Sequence, residues 1–145
     1  MDIKILKLRD SAIIPTRATI GSAGYDLHAC LNSDVSVSRG QLLKIPCGFA
    51  IETPPGFASF VFPRSGLATK YGISLANVVG VVDSDYRGEL QVCLTRISDG
   101  DPYVIHHGDR IAQLIVMKVE SLDFISVEKL NDSDRGVGGF GSTGF

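Results

Sequence analysis

The sequence predicts an all-β domain on three observations. Apolar residues recur with the two-residue period of strands, turn-forming residues interrupt them about every ten positions, and only GLATKYG (66–72) has room for a turn or two of helix. Many short strands punctuated in this way build a sandwich, a jelly roll or a barrel. IKILKL (3–8) opens the series and YDLHA (25–29) follows. VSV (35–37) and LLKI (42–45) are joined by SRGQ, and FAI (49–51) and ASFVF (58–62) by TPPGF, whose prolines cannot continue a ladder. RSGL closes that strand. ISLAN (73–77) and VVGVV (78–82) come next, then DYRGE as a turn, ELQVCLT (89–95), the turn signals SDGD and HHGD, and last IAQLIVMKV (111–119).

At 145 residues one core is expected, with a β-domain over 1–130 and a flexible arm over 131–145, where NDSD leads into glycine-rich sequence. A formal charge of −2, with no run of Lys and Arg, excludes an electrostatic grip on duplex nucleic acid. Cys30, Cys47 and Cys93 lie far apart and odd in number, which indicates neither a disulfide framework nor a zinc site and leaves them as small core residues. His106 and His107 are neighbours in a loop-like stretch, DGDPYVIHHGDR (99–110), and point apart, so they read as structural. MDIKILKLRD lacks the apolar run of a signal peptide and no segment is long enough to span a bilayer, so the expected location is cytoplasmic.

The arm ends in RGVGGFGSTGF (135–145). Its backbone N–H groups, Arg135, Ser142 and Thr143 are donors suited to phosphate, and Phe140 offers a face that stacks on a base. Gly136, Gly138 and Gly141 satisfy G-x-G-x-x-G, but only four residues follow, too few for the helix that fingerprint needs. GVGGFGST has P-loop spacing with Ser142 in place of the lysine. A phosphate-binding arm therefore has to work as a flexible one.

Four further stretches spend residues that a β-sandwich does not require. PRSGLA (63–68) sets a guanidinium, a hydroxyl and exposed backbone after an apolar strand, a phosphate-binding combination that reads equally as a salt bridge and a plain turn. DSDYRG (83–88) places Asp83 and Asp85 in a turn; held in a cleft beside phosphates, one of them could act as general base or help hold a metal. AGYDL (23–27) puts Asp26 on an otherwise apolar strand. GDRIAQ (108–113) pairs Arg110 with Gln113, each structural when taken alone.

Together AGYDL, PRSGLA, NVVGVVDSDYRGEL, GDRIAQ and RGVGGFGSTG resemble, in order and spacing, the five motifs of the homotrimeric deoxyuridine triphosphatases (dUTPases), from about residue 19 to the end. The resemblance implies a jelly-roll-like, β-clip subunit and a homotrimer with three shared active sites. It also implies Mg²⁺-dependent hydrolysis of dUTP to dUMP and pyrophosphate, which limits uracil in DNA and supplies dUMP for thymidylate synthesis.

By that resemblance Asp83 activates the attacking water, Asp26 lies near the Mg²⁺ through its water shell, and Gln113 reaches the phosphate chain beside the cradle of Arg64, Ser65 and Gly66. Asn77, Val82 and the hairpin up to Tyr86 form the uracil slot, and the Tyr86 ring excludes a 2′-hydroxyl. Phe140 stacks on uracil while Arg135, Gly141, Ser142 and Thr143 bind phosphates from another subunit's arm.

Two alternatives carry other expectations. A dCTP deaminase shares the fold but typically has a second serine where Gly66 stands, and needs a catalytic glutamate among Glu52, Glu89, Glu120 and Glu128. A nucleotide-sensing protein would bind dUTP without turnover.

Overall fold

A computed structural model of the chain describes residues 2–139. Its elements are β1 (Lys4–Lys7), β2 (Tyr25–His28), β3 (Val35–Val37), β4 (Leu42–Pro46), β5 (Phe49–Glu52), β6 (Phe57–Phe62), α1 (Ser65–Tyr71), β7 (Ile73–Leu75), β8 (Gly80–Val82), β9 (Gln91–Arg96), β10 (Tyr103–Ile105) and β11 (Arg110–Lys118). Every stretch expected to be a strand holds one, and the one helix among the described residues falls on GLATKYG, starting one residue earlier. It stops at Gly72, whose φ of +65° suits glycine and whose N–H donates to Ala68 O at 3.1 Å.

Two elements differ from expectation. VVGVV yields a strand only from Gly80, because Val78 turns the chain at a φ of +61°. Tyr103–Ile105, expected as loop, is a strand because it pairs antiparallel with Val35–Val37 far back in the chain. Three residues carry no period of their own, so only that partner reveals them.

The strands form small antiparallel sheets ordered β1-β5, β3-β10, β4-β9-β7 and β2-β11-β6-β8. Their inner faces meet on Leu27, Val37, Ile45, Phe49, Ile73, Leu94 and Ile105, all essentially without solvent contact. Each such side chain contributes about 1.5–3 kcal/mol of burial. Cys30 and Cys47 join this core as expected, and burial pushes the Cys47 thiol up to about 12. Cys93 does not: it is half-buried on the outer face of β9.

The four-stranded sheet positions the chemistry. Arg110 and Gln113 are three residues apart, so a regular strand would send them to opposite faces. A bulge in β11 between Arg110 and Ala112 shifts the register, and they pair instead with His28 and Asp26 on β2, whose side chains share one face. Beyond Lys118 the described chain forms no further strand, and Leu122, Phe124, Ile125 and Leu130 stand exposed.

Candidate active site

Asp26 sits at the centre of a compact charged cluster. Its backbone N–H donates to Thr16 O at 2.8 Å, which fixes the strand edge. Its carboxylate is only 16% exposed and meets two guanidinium groups, Arg64 Nε at 3.2 Å and Arg110 Nη1 at 3.3 Å. Arg64 Nη1 also donates to Arg110 O at 3.0 Å, tying the end of β6 to the start of β11. Two cations on one anion leave a net positive charge at a half-covered site, which favours a polyanion.

Arg110 is the member of this cluster not singled out in the sequence as a site residue. GDRIAQ flagged it beside Gln113, but its partner Asp26 lies far back in the chain and the bulge that aims it has no local signature, so the motif did not reveal this role.

Gln113 stands in the row between Asp26 and Phe62. Its Nε2 donates to Pro63 O at 3.0 Å, steadying the turn that launches Arg64. Ser65 opens α1, and no side chain caps that helix, so its first-turn N–H groups are left for solvent or a ligand. A side chain at Gly66 would meet nothing within 4 Å, so open space fronts this backbone.

His28 Nδ1 is buried beside the cluster and has no hydrogen-bond partner among the described residues. Burial lowers its pKa, and the charges of Arg110 and Arg64 act in the same direction against that of Asp26.

A second cluster gathers around a pocket of about 220 Å³ lined by Asn77, Gly80, Val82, Asp83, Tyr86 and Cys93. That is below the ~300–1,000 Å³ of pockets enclosing a whole drug-sized ligand, and suits one ring with its sugar. Tyr86 is held flat: its Oη donates to Glu89 O at 3.1 Å, and the ring lies so close over Gly88 that a β-carbon there would collide with it. Asp83 O accepts from Tyr86 N–H at 3.2 Å, closing the turn, while the Asp83 carboxylate is exposed and has no ion-pair partner among the described residues. Glu89 also lines the pocket, but its carboxylate accepts from Gly48 N–H at 3.0 Å and lies 3.7 Å from Arg9 Nη2.

The two clusters do not meet within one chain. β2 and β8 are opposite edges of the sheet, ~14 Å apart, and Asp83 lies a further ~13 Å along the strands from the row of Asp26, so the separation is on the order of 20 Å.

In the arm, Arg135 Nε donates to Gly138 O at 2.8 Å, and Gly136 and Gly138 N–H bond to Ser133 and Arg135, all local contacts. The expectations for Phe140, Gly141, Ser142 and Thr143 lie outside the described residues.

For Mg²⁺ the donor set is telling. Among the described residues no three His, Cys, Asp or Glu side chains are grouped to cage a metal, and Asp26 is already shared by two arginines. A lone carboxylate of this kind fits Mg²⁺ only where the ion keeps most of its waters and draws its other ligands from a bound anion, since Mg²⁺ binds through one or two carboxylates plus phosphates.

The sequence model of a family described as dUTPase matches residues 10–144. A deoxyuridine 5'-triphosphate nucleotidohydrolase of Desulfitobacterium hafniense is 51% identical over 133 residues, covering 90% of this chain and 87% of the relative. One of Corynebacterium glutamicum is 46% identical over 142 residues, covering 98% and 94%. Among solved structures, a Staphylococcus bacteriophage 80alpha dUTPase mutant with dUpNHpp is similar at a TM-score of 0.87 and 22% identity, covering 99% of each chain. A phage phi11 dUTPase mutant, described with a structural Mg(II) ion, is similar at 0.79 and 21%, covering 89% of this chain and 98% of that one. No helix among the described residues is long and apolar enough to cross a membrane.

Proposed function

Because the chain belongs to the dUTPase family, we propose that it hydrolyses dUTP to dUMP and pyrophosphate through a water activated by Asp83 at the α-phosphorus. Membership makes it a dUTP diphosphatase. The observation that carries the residue assignment is the Asp83 carboxylate, without an ion-pair partner among the described residues, on the wall of the pocket that also holds Asn77 and Tyr86. A base at that place reaches the phosphate nearest the sugar, and an unpaired carboxylate is free to take the proton of the water.

In this reading Asn77, Gly80 and Val82 present the base with a fixed hydrogen-bonding edge. A mismatched base leaves buried groups unpaired, which rejects cytosine more strongly than a missing contact would. The anchored Tyr86 ring fills the space a 2′-hydroxyl would need. Arg64 and Arg110, with Ser65, Gly66 and Gln113, hold the outgoing phosphates, so much of the catalysis is positioning and charge stabilisation. Mg²⁺, when bound with the triphosphate, supplies charge neutralisation and fixes its conformation. Asp26 is the carboxylate that would hold that ion, through its water shell. The arm brings Arg135, Phe140, Gly141, Ser142 and Thr143 over the occupied site, and its glycines let it open for release.

The separation of Asp83 from the Asp26 cluster supports an assembly in which each site draws on more than one subunit, in keeping with the homotrimer that the family resemblance implies. So do two apolar surfaces without partners, the exposed 122–130 stretch and an apolar groove of about 570 Å³ lined by Ile3, Ile5, Ile14, Phe57 and Leu114. The deaminase alternative is not favoured: Glu89 is engaged by Gly48 and Arg9, Glu52 by Lys4 and Glu120 by Lys118, and Glu128, the fourth candidate, is exposed and does not line the pocket. We assign the enzyme to the cytoplasm, where it removes dUTP before it enters DNA and provides dUMP for thymidylate.

The test is pyrophosphate release by purified protein with Mg²⁺, comparing dUTP, dCTP, dTTP and UTP. Turnover confined to dUTP is expected. Ammonia release from dCTP, or dUTP bound and left intact, would overturn the reading in favour of the deaminase or the sensor.

A further inference from the structure

Val78 is the one non-glycine residue with positive φ among the described residues, at +61°. It is β-branched, and for that class the left-handed region is a true outlier rather than a tolerated option. Across it, Val79 N–H donates to Asn77 O at 2.6 Å, a bond between residues two apart. A three-residue turn with positive φ at its centre is the rare, strained form of γ-turn.

Packing of the Val78 side chain does not explain this conformation, because it is 72% exposed. What lies on either side does. β7 is pinned to β9, and Ala76 N–H still donates to Cys93 O at 2.9 Å. β8 is pinned to a different sheet through Gly80 opposite Val61. The chain crosses from one sheet to the other in the three residues between, and Val78 N–H bonding to Leu75 O at 3.2 Å tightens the crossing further. Asn77, the first residue of the turn, and Gly80, which follows the last, both line the pocket. They are also fitted to each other: a β-carbon on Gly80 would stand 3.1 Å from Val61 Cβ and 3.4 Å from Asn77 Nδ2.

We infer that Val78 is a positioning residue for base selection, whose strained γ-turn holds Asn77 and Gly80 in one geometry at the pocket wall. It rests on the reading of this pocket as the base slot. A glycine at 78 has wells of both signs of φ and would let the turn breathe, whereas a branched side chain, once tertiary structure places it at +61°, has almost no neighbouring conformation to move to. Strain at such a place is a form of preorganisation. It acts on recognition of the base and not on the reacting phosphorus, so it belongs in KM and in the preference among bases.

The experiment compares wild type with Val78→Gly, Val78→Ala and Val78→Ile, measuring kcat and KM for dUTP and dCTP together with thermal melting. Val78→Gly is expected to melt no lower than wild type, to raise KM for dUTP about tenfold with kcat within about twofold, and to lower the dUTP to dCTP preference about tenfold. Val78→Ile keeps the branch and keeps wild-type values; Val78→Ala falls between. A Val78→Gly enzyme with wild-type KM and base preference overturns the inference, as does a fall in kcat at constant KM. If that variant fails to fold, equal KM and preference in the Ala and Ile variants overturn it instead. A wild-type protein that does not turn over dUTP would remove the base-slot reading itself, an outcome distinct from variants that all behave alike.

Discussion

A β-carbon on Gly24 would stand 2.6 Å from Oε1 of Gln113, so the Gln113 amide lies directly against the backbone that leads into β2. That close approach lets Nε2 reach Pro63 O and hold the turn before Arg64. Gly24→Ala is expected to push the amide away. It should cost about 1–3 kcal/mol of stability by overpacking and lower kcat/KM for dUTP between about tenfold and a hundredfold through the displaced cradle. Denaturant melts and steady-state kinetics check both; full activity would show that Gln113 and the Pro63 turn are independent.

Asp83→Asn keeps size and removes the base. Turnover should fall by about a hundredfold or more, while affinity for the non-hydrolysable dUpNHpp stays within about threefold. A variant that retains most of its rate would take the base role from Asp83.

The Tyr86 ring is fixed from both ends, by the bond of Oη to Glu89 O and by its contact with Gly88. Tyr86→Ala should reduce the preference for dUTP over UTP by about tenfold or more, whereas Tyr86→Phe, which keeps the ring, should preserve it. Competition assays with the two nucleotides give the ratio, and an unchanged ratio in the alanine variant would dismiss the ring as a sugar gate.

Ending the chain at Asp134 should leave a folded assembly with at most about a tenth of the activity, because the arm's described hydrogen bonds are all local. Light scattering and turnover report the two halves of this expectation separately. Loss of assembly would make the arm structural.

Away from the site, Asp34 Oδ1 lies 2.8 Å from Nδ1 of His106 and raises that histidine's pKa, first through the hydrogen bond and then through its charge. A raised folded pKa means that the stabilisation is fully present below the ordinary value of 6.5 and is lost as pH rises through the folded value. Both groups are exposed, so the effect is small. The difference in Tm between wild type and His106→Gln should be largest near about pH 5 and vanish by about pH 9; a difference independent of pH would show that the pair contributes nothing through charge.

Strand positions were legible because hydrophobic period and turn residues are local properties: IAQLIVMKV announces β11 by itself. Its bulge is not local, and with it went Arg110, whose place beside Asp26 depends on two strands meeting out of simple register. Tyr103–Ile105 was missed for a similar reason, since a three-residue strand is defined by its partner. Asp26, Arg64, Asn77, Asp83 and Tyr86 were legible because they fall in three of the five motifs, and the structure sorts them into two clusters, a division no motif spacing encodes. Cys93 read as core because cysteine usually is, yet the alternation of β9 turns it toward the pocket. The Val78 turn had no signature either, as valine is among the last residues one would place there.

The distance between Asp83 and the Asp26 cluster also has a genetic meaning. In the assembly proposed above, a chain lacking the carboxylate at 83 and a chain lacking the guanidinium at 64 carry damage in different halves of a shared site. Mixed together, they can rebuild working sites from their intact halves, whereas a single chain with both lesions has nothing to contribute. Complementation between alleles and interference by a defective copy over a healthy one are thus two faces of the same strand order.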